Sequence, residues 1–163
     1  MSKAVKERST RNRIAPSGSF QTQTKIKPIV VGTFDIDFVE ISPNEMVEQV
    51  QRGFPLKRFE MLRGALGMPS EQLAAKVGMS KATFHRRQQE GKLTSDESDK
   101  VMRFGRLLVR AISVFESDEA ARQWLSSPQH GLGGAVPLDY AETEVGAREV
   151  ENLLGRIDYG VYS

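Results

Sequence analysis

The chain of 163 residues carries 23 Lys+Arg against 21 Asp+Glu, 39% hydrophobic residues, two histidines and no cysteine. The missing cysteines exclude a disulfide framework, thiolate metal sites and cysteine nucleophiles, and two histidines cannot build a histidine-rich metal cage. No apolar run approaches the roughly 20 residues of a membrane span and no signal-peptide core opens the chain, so a soluble, cytoplasmic protein of one ordinary or two small domains is expected.

The formal net charge of +2 is a cancellation. Residues 1–28 hold seven basic groups and one acid, residues 29–56 one and five, residues 57–110 twelve and six, and residues 111–163 three and nine. Two basic blocks alternate with two acidic ones. The first, residues 1–28, is rich in Ser, Thr, Gln and Pro without apolar periodicity, so it reads as a disordered basic tail. Such a tail is either a solvated linker or a sequence-independent phosphate binder.

Residues 29–41 alternate, with Phe34, Ile36 and Phe38 on one side and Asp35 and Asp37 on the other. That is strand periodicity. A lone strand is unstable in water, so this one needs a partner in the chain, in a second subunit or on another protein.

From Ser42 the signals are helical. Ser42-Pro43-Asn44-Glu45 is a capping box with proline at the first helical position, and Gly53 and Pro55 close that helix and open the next. Phe59, Leu62 and Leu66 form an apolar stripe that ends at Gly67 and Pro69. Ser70 is expected to cap a short helix stopping at Gly78, Ser80 to cap another stopping at Gly91, and Thr94 to Glu97 to form a second capping box. A long helix then follows, with Val101, Phe104, Leu108, Ile112 and Phe115 at three- and four-residue steps.

The pair from Ser70 to Gln89 has the requirements of a helix-turn-helix: Ala74 where two helices approach, Gly78 for a left-handed turn, and Leu73, Val77, Met79 and Phe84 as inward residues. Spacing alone also admits two core helices joined by a glycine turn. The second helix shifts the balance, because Lys81, Thr83, His85, Arg86, Arg87, Gln88 and Gln89 are polar or basic, with no acid before Glu90. Arg and Lys match guanine edges, Gln matches adenine, and a helix N-terminus at Ser80 offers N–H groups to phosphate. Ser70, Gln72, Ser80, Lys81, Thr83, His85, Arg86 and Arg87 are therefore the expected DNA-binding residues. Arg87 stands where the general motif carries a buried apolar residue, which implies a short recognition helix. Symmetric reading of an operator requires at least a dimer.

His85 has neither a second histidine nor a carboxylate pair at ligand spacing, and the glycines after His130 lack the Gly-Lys-Ser/Thr ending of a phosphate loop. No catalytic residue, metal or cofactor is expected, and the chain is not read as an enzyme. Ser117 to Ser126 forms a short amphipathic helix with Ala121, Trp124 and Leu125 inward. The last helix carries an Ala147, Val150, Leu154, Ile157 stripe under an acidic face of Glu142, Glu144, Glu149 and Glu151.

The run VGMSKATFHRRQQEGKLTSDESDKVMRFGRLLVRAISVF and its continuation EAARQWLSSPQHGLGGAVPLDYAETEVGAREVENLLGRIDYGVYS resemble the Xre/MbcA/ParS antitoxins of type II toxin-antitoxin systems. The resemblance is specific in W-L-x-S-P, the Leu-Gly-Gly turn, P-L-D and G-A-R-x-V-x-x-L-L-G-R-I, in that order. It spans roughly residues 43–163 and implies a mainly α fold, a helix-turn-helix domain over residues 42–115 followed by a small helical toxin-binding domain over 116–163; the basic tail and the short N-terminal strand expected at 29–41 lie outside it. It also implies an antitoxin that binds a RES-type, NAD-degrading toxin, obstructs its NAD pocket, and represses its own operon as a dimer or larger complex. The toxin-facing residues it implies are Leu132, Gly133, Pro137, Leu138, Tyr140, Thr143, Gly146, Arg148, Arg156, Tyr159 and Tyr162, of which Leu138 and Gly146 also suit a role in holding the fold. The acidic end would complement a basic NAD-binding pocket. The alternative is a solitary dimeric repressor whose C-terminal domain dimerises or senses a ligand.

Overall fold

In the computed structural model, residues 42–161 are described. The basic segment 1–28, the strand expected at 29–41 and Tyr162 lie outside them. The described residues form α1 (Pro43–Arg52), α2 (Leu56–Leu66), α3 (Ser70–Val77), α4 (Lys81–Glu90), α5 (Ser95–Phe115), α6 (Asp118–Leu125), a 3-10 turn (His130–Leu132), α7 (Pro137–Tyr140) and α8 (Glu144–Asp158).

Local chemistry sets the boundaries. At α1 the Ser42 hydroxyl accepts from the Glu45 N–H and the Glu45 carboxylate accepts from the Ser42 N–H, and Thr94 and Glu97 repeat the arrangement at α5. Each box satisfies two of the N–H groups a helix start leaves orphaned. Ser80, Ser117 and Thr143 cap α4, α6 and α8 in the simpler way, accepting from Thr83, Ala120 and Gly146. Ser70 departs from expectation. Pro69, in an extended conformation, occupies the cap position, so Ser70 is the first helical residue and no side chain caps α3.

The apolar stripes converge on one core that includes Phe54, Phe59, Leu62, Leu73, Val77, Val101, Phe104, Leu108, Leu125, Leu138, Val150 and Leu154. α5 runs through its centre, touching α1, α2 and α3 on one side and α6 and α8 on the other. Its 21 residues make it about 30 Å long, enough to underlie both halves. Phe115 and Trp124, at the far end, are only partly buried and stack at 5.6 Å. No helix among the described residues is long and apolar enough to cross a membrane.

Candidate functional site

α3 and α4 form the helix-turn-helix. Gly78 sits at φ +88°, the left-handed conformation the turn needs, and its N–H closes α3 on the Ala74 and Ala75 carbonyls. Ala74, Leu73, Val77, Met79 and Phe84 are all buried. Phe84 stacks against Phe59 of α2 with ring centroids 5.2 Å apart.

Those contacts turn one side of α4 inward and leave Lys81, His85, Arg86, Gln88 and Gln89 exposed, with Gln72 exposed on α3. His85 and Gln89 meet at 3.2 Å across one helical turn. The Ser80 hydroxyl is occupied at the cap, accepting from the Thr83 N–H at 3.1 Å and contacting the Thr83 hydroxyl at 3.0 Å, so what Ser80 offers a ligand is the helix start it organises.

The basic row is partly neutralised by Glu90, the acid that ends it. Glu90 lies 3.9 Å from Arg86, a loose surface pair worth little. Arg87 is the larger correction. It is buried at 9% exposure, its Nε donates to Glu97 Oε2 at 2.7 Å, and its Nη1 donates to Glu90 at 2.5 Å. Arg87 falls about 60° around the helix from Phe84 and so points into the protein rather than toward a groove. The sequence signal for this was an arginine at a normally apolar position followed, ten residues on, by the carboxylate of a capping box.

Burial disfavours the Glu97 carboxylate, but the Arg87 and Thr94 hydrogen bonds and the Arg87 charge outweigh it and hold the carboxyl below its ordinary range. The Glu97 hydrogen bond is also the leading reason that Arg87 holds its proton more tightly than usual. A lowered folded-state pKa stabilises at pH values above the unfolded carboxyl's value of about 4.3, and that contribution disappears as pH falls through the folded value. Thermal melts from pH 7 to 3 are expected to show the midpoint dropping below about pH 4–5. Glu97→Gln should flatten that acid limb, and an unchanged limb would remove Glu97 as its source.

The second surface is the segment from the 3-10 turn to the end of α8. Of the toxin-facing residues the resemblance implied, Tyr140 is 42% exposed, Tyr159 is 82% exposed, and Gly133, Thr143, Arg148 and Arg156 also reach the surface. Leu132, Pro137, Leu138 and Gly146 do not. Leu138 is 1% exposed in the core, and Gly146 lies against the Tyr140 carbonyl. These four shape the surface from beneath. Val145, 75% exposed in the first turn of α8, adds an apolar group that the motifs did not single out.

The acidic face is also less available than its charge count implied. α5 and α8 lie side by side, and three arginines one turn apart on α5 meet three acids on α8: Arg103 with Glu144 at 3.1 Å, Arg106 with Glu151 at 3.5 Å, and Arg110 with Asp158 at 2.8 Å. Arg103 is itself 10% exposed in its side chain, and it also binds Asp99 and the Glu142 carbonyl. Lys76 of α3 reaches Asp139 and, at 3.8 Å, Glu142. Glu144 is drawn below its ordinary pKa: burial opposes its charge, but the Arg148 hydrogen bond and the nearby Arg103 and Arg106 charges prevail. Much of the cancellation seen in the composition is therefore contact between the second basic block and the C-terminal acids. Sequence reasoning missed these pairs because the partners lie roughly 40 to 60 residues apart.

Among the described residues no cluster of His, Asp and Glu could hold a metal ion. A helix-turn-helix with a polar, basic outer face, joined by one long helix to a second helical module, defines a DNA-binding regulator class with an additional interaction domain. Two family models match the chain in that order: the antitoxin Xre-like helix-turn-helix domain over residues 45–106, and the antitoxin Xre/MbcA/ParS C-terminal toxin-binding domain over residues 110–160. An antitoxin Xre of Yersinia enterocolitica is 32% identical over 120 residues, spanning 72% of this chain and 81% of that protein. An antitoxin Xre of Photorhabdus laumondii is 43% identical over 75 residues, 45% of this chain and 51% of that protein. The chain belongs to the Xre antitoxin family, whose two domains bind rather than catalyse.

Proposed function

We propose that the chain neutralises a RES-type, NAD-degrading toxin by binding beside its active site and represses its own operon as a dimer. The observation that carries the toxin half is the exposure of large side chains on a matched toxin-binding domain: Tyr159, Val145 and Tyr140 lie bare on a module whose core is otherwise closed. Exposed aromatic and arginine side chains are the usual anchors of protein interfaces, and Arg148 and Arg156 accompany these tyrosines. The same domain match favours an antitoxin over a solitary repressor. For DNA, Lys81, Thr83, His85 and Arg86 are the reading residues, with Ser70, Gln72 and the helix start at Ser80 directed to phosphate.

Co-expression with the product of the neighbouring gene tests the toxin half. Growth should be restored and the two proteins should co-elute, while cells expressing the neighbour alone should lose NAD. A toxic neighbour that forms no complex would sink the proposal, and a toxic neighbour that leaves NAD intact would remove the RES assignment. Within the complex, Tyr159→Ala is expected to cost about 2 kcal/mol of binding, read by calorimetric titration. For DNA, Arg86→Ala should weaken operator binding by about 1–3 kcal/mol in a gel-shift titration. An unaltered titration would take Arg86 off the reading surface.

A further inference from the structure

The recognition helix is fastened at two kinds of point. Phe84 packs its first half into the core against Phe59. Its second half has no such apolar anchor, since Lys81–Glu90 buries only Phe84 and Arg87. Below Arg87 the chain is bolted to the scaffold: the Leu56 N–H donates to the Gly91 carbonyl at 2.9 Å, the Leu93 N–H to the Phe54 carbonyl at 2.8 Å, and the Phe54 N–H to the buried Ser98 hydroxyl at 2.7 Å. Glu97 joins these parts. Its Oε2 accepts from the Thr94 N–H at 2.8 Å, completing the cap of α5, and from Arg87 Nε at 2.7 Å. One carboxylate oxygen thus links the start of the central helix to the inner face of the reading helix.

We infer that the buried Arg87–Glu97 pair is a positioning device for operator reading, fixing the rotation of α4 so that Lys81, His85 and Arg86 face the groove in register. The planar guanidinium is directional, with its Nε–H donated to Glu97 and its Nη1–H to Glu90, whereas an apolar residue at this position would let the helix settle by packing alone. A rotation of about 10° moves atoms at a helix surface by about 1 Å, more than base-edge hydrogen bonds tolerate. Arg87 therefore acts on specificity without touching DNA. The role rests on the DNA-reading function proposed above.

The sign of one substitution separates this role from electrostatics. Glu97→Gln removes a negative charge from the DNA-binding half, so phosphate attraction alone predicts tighter binding, whereas loss of positioning predicts weaker binding. The experiment titrates the full chain, the unaltered protein beside Glu97→Gln and Arg87→Met, against a duplex carrying its own promoter and against an unrelated duplex of equal length, over a range of salt. Circular dichroism melts confirm that each variant is folded at the working temperature. Both variants are expected to lose tenfold or more in preference for the promoter, with unrelated-DNA affinity equal or weaker for Arg87→Met and equal or tighter for Glu97→Gln. The slope of log affinity against log salt should stay the same. Arg87→Lys replaces any variant that unfolds: it keeps the charge, loses the planar guanidinium and its Nε–H bond to Glu97, and should show a promoter preference below that of the unaltered protein. Undiminished promoter preference in folded variants would overturn the inference. So would a salt slope reduced by about 0.9 in Arg87→Met, since that marks a direct phosphate contact. Failure of the unaltered chain to prefer its promoter is a separate outcome: it overturns the DNA-reading function, and this role with it.

Discussion

Phe104→Ala is expected to destabilise the protein by about 3–5 kcal/mol and to abolish both DNA and toxin binding at growth temperature. Phe104 is 0% exposed near the middle of α5, the helix that contacts the helix-turn-helix on one side and the C-terminal module on the other. Truncating it removes a ring's worth of transfer free energy and leaves a cavity that a close-packed interior closes only in part. Against a total stability of about 5–15 kcal/mol for a small protein, that loss is a large fraction. A thermal melt should show one transition lowered by roughly 6–20 °C at the usual 2–4 °C per kcal/mol. Because α5 is common to both halves, the two activities should fail together as temperature rises. Loss of one activity at a temperature where the other is intact would show that α5 does not tie them.

Gly146→Ala is the complementary case, expected to cost about 2–3 kcal/mol and to act on one function. An alanine Cβ there would lie 1.7 Å from the Tyr140 carbonyl oxygen and 2.7 Å from its carbon, and these are backbone atoms that cannot swing aside. The joint between α7 and α8 must open by about 1.5 Å, an overpacking cost only partly offset by the better helix propensity of alanine. Tyr140 and Thr143 border that joint, so the surface proposed above to face the toxin shifts with it. Calorimetric titration against the toxin should show affinity reduced tenfold or more, while promoter binding, assigned above to α3 and α4 as a proposal, is unchanged. Retained toxin affinity with an unshifted melt would mean the joint absorbs the methyl group, and would sink the argument.

Both expectations turn on features with different legibility. Phe104 was visible in the sequence as one member of a three- and four-residue stripe, and so were the capping boxes at Ser42 and Thr94, the left-handed Gly78, and the inward set Leu73, Ala74, Val77 and Phe84. Each is a local pattern that backbone geometry imposes on neighbours within a few positions. Gly146 was visible only through the family motif, since nothing local says that a carbonyl six residues earlier will occupy the space of its side chain. Arg87 was misassigned for the same kind of reason: a row of bases on a helix reads as solvent-facing until the long-range partner is known.

What the sequence by itself determined is most of the helices, the caps at Ser42, Ser80 and Thr94, the turn that makes two of them a helix-turn-helix, and a motif order specific enough to mark an antitoxin of the Xre family. The tertiary structure decided which charges remain available to partners. Arg87 is withdrawn onto Glu97, the arginine row of α5 is spent on Glu144, Glu151 and Asp158, and Lys76 is spent on Asp139. Periodicity is a property of neighbouring residues and survives in one dimension. Charge pairing depends on which helices lie side by side, and a near-zero total is the same whether opposite charges face separate partners or one another.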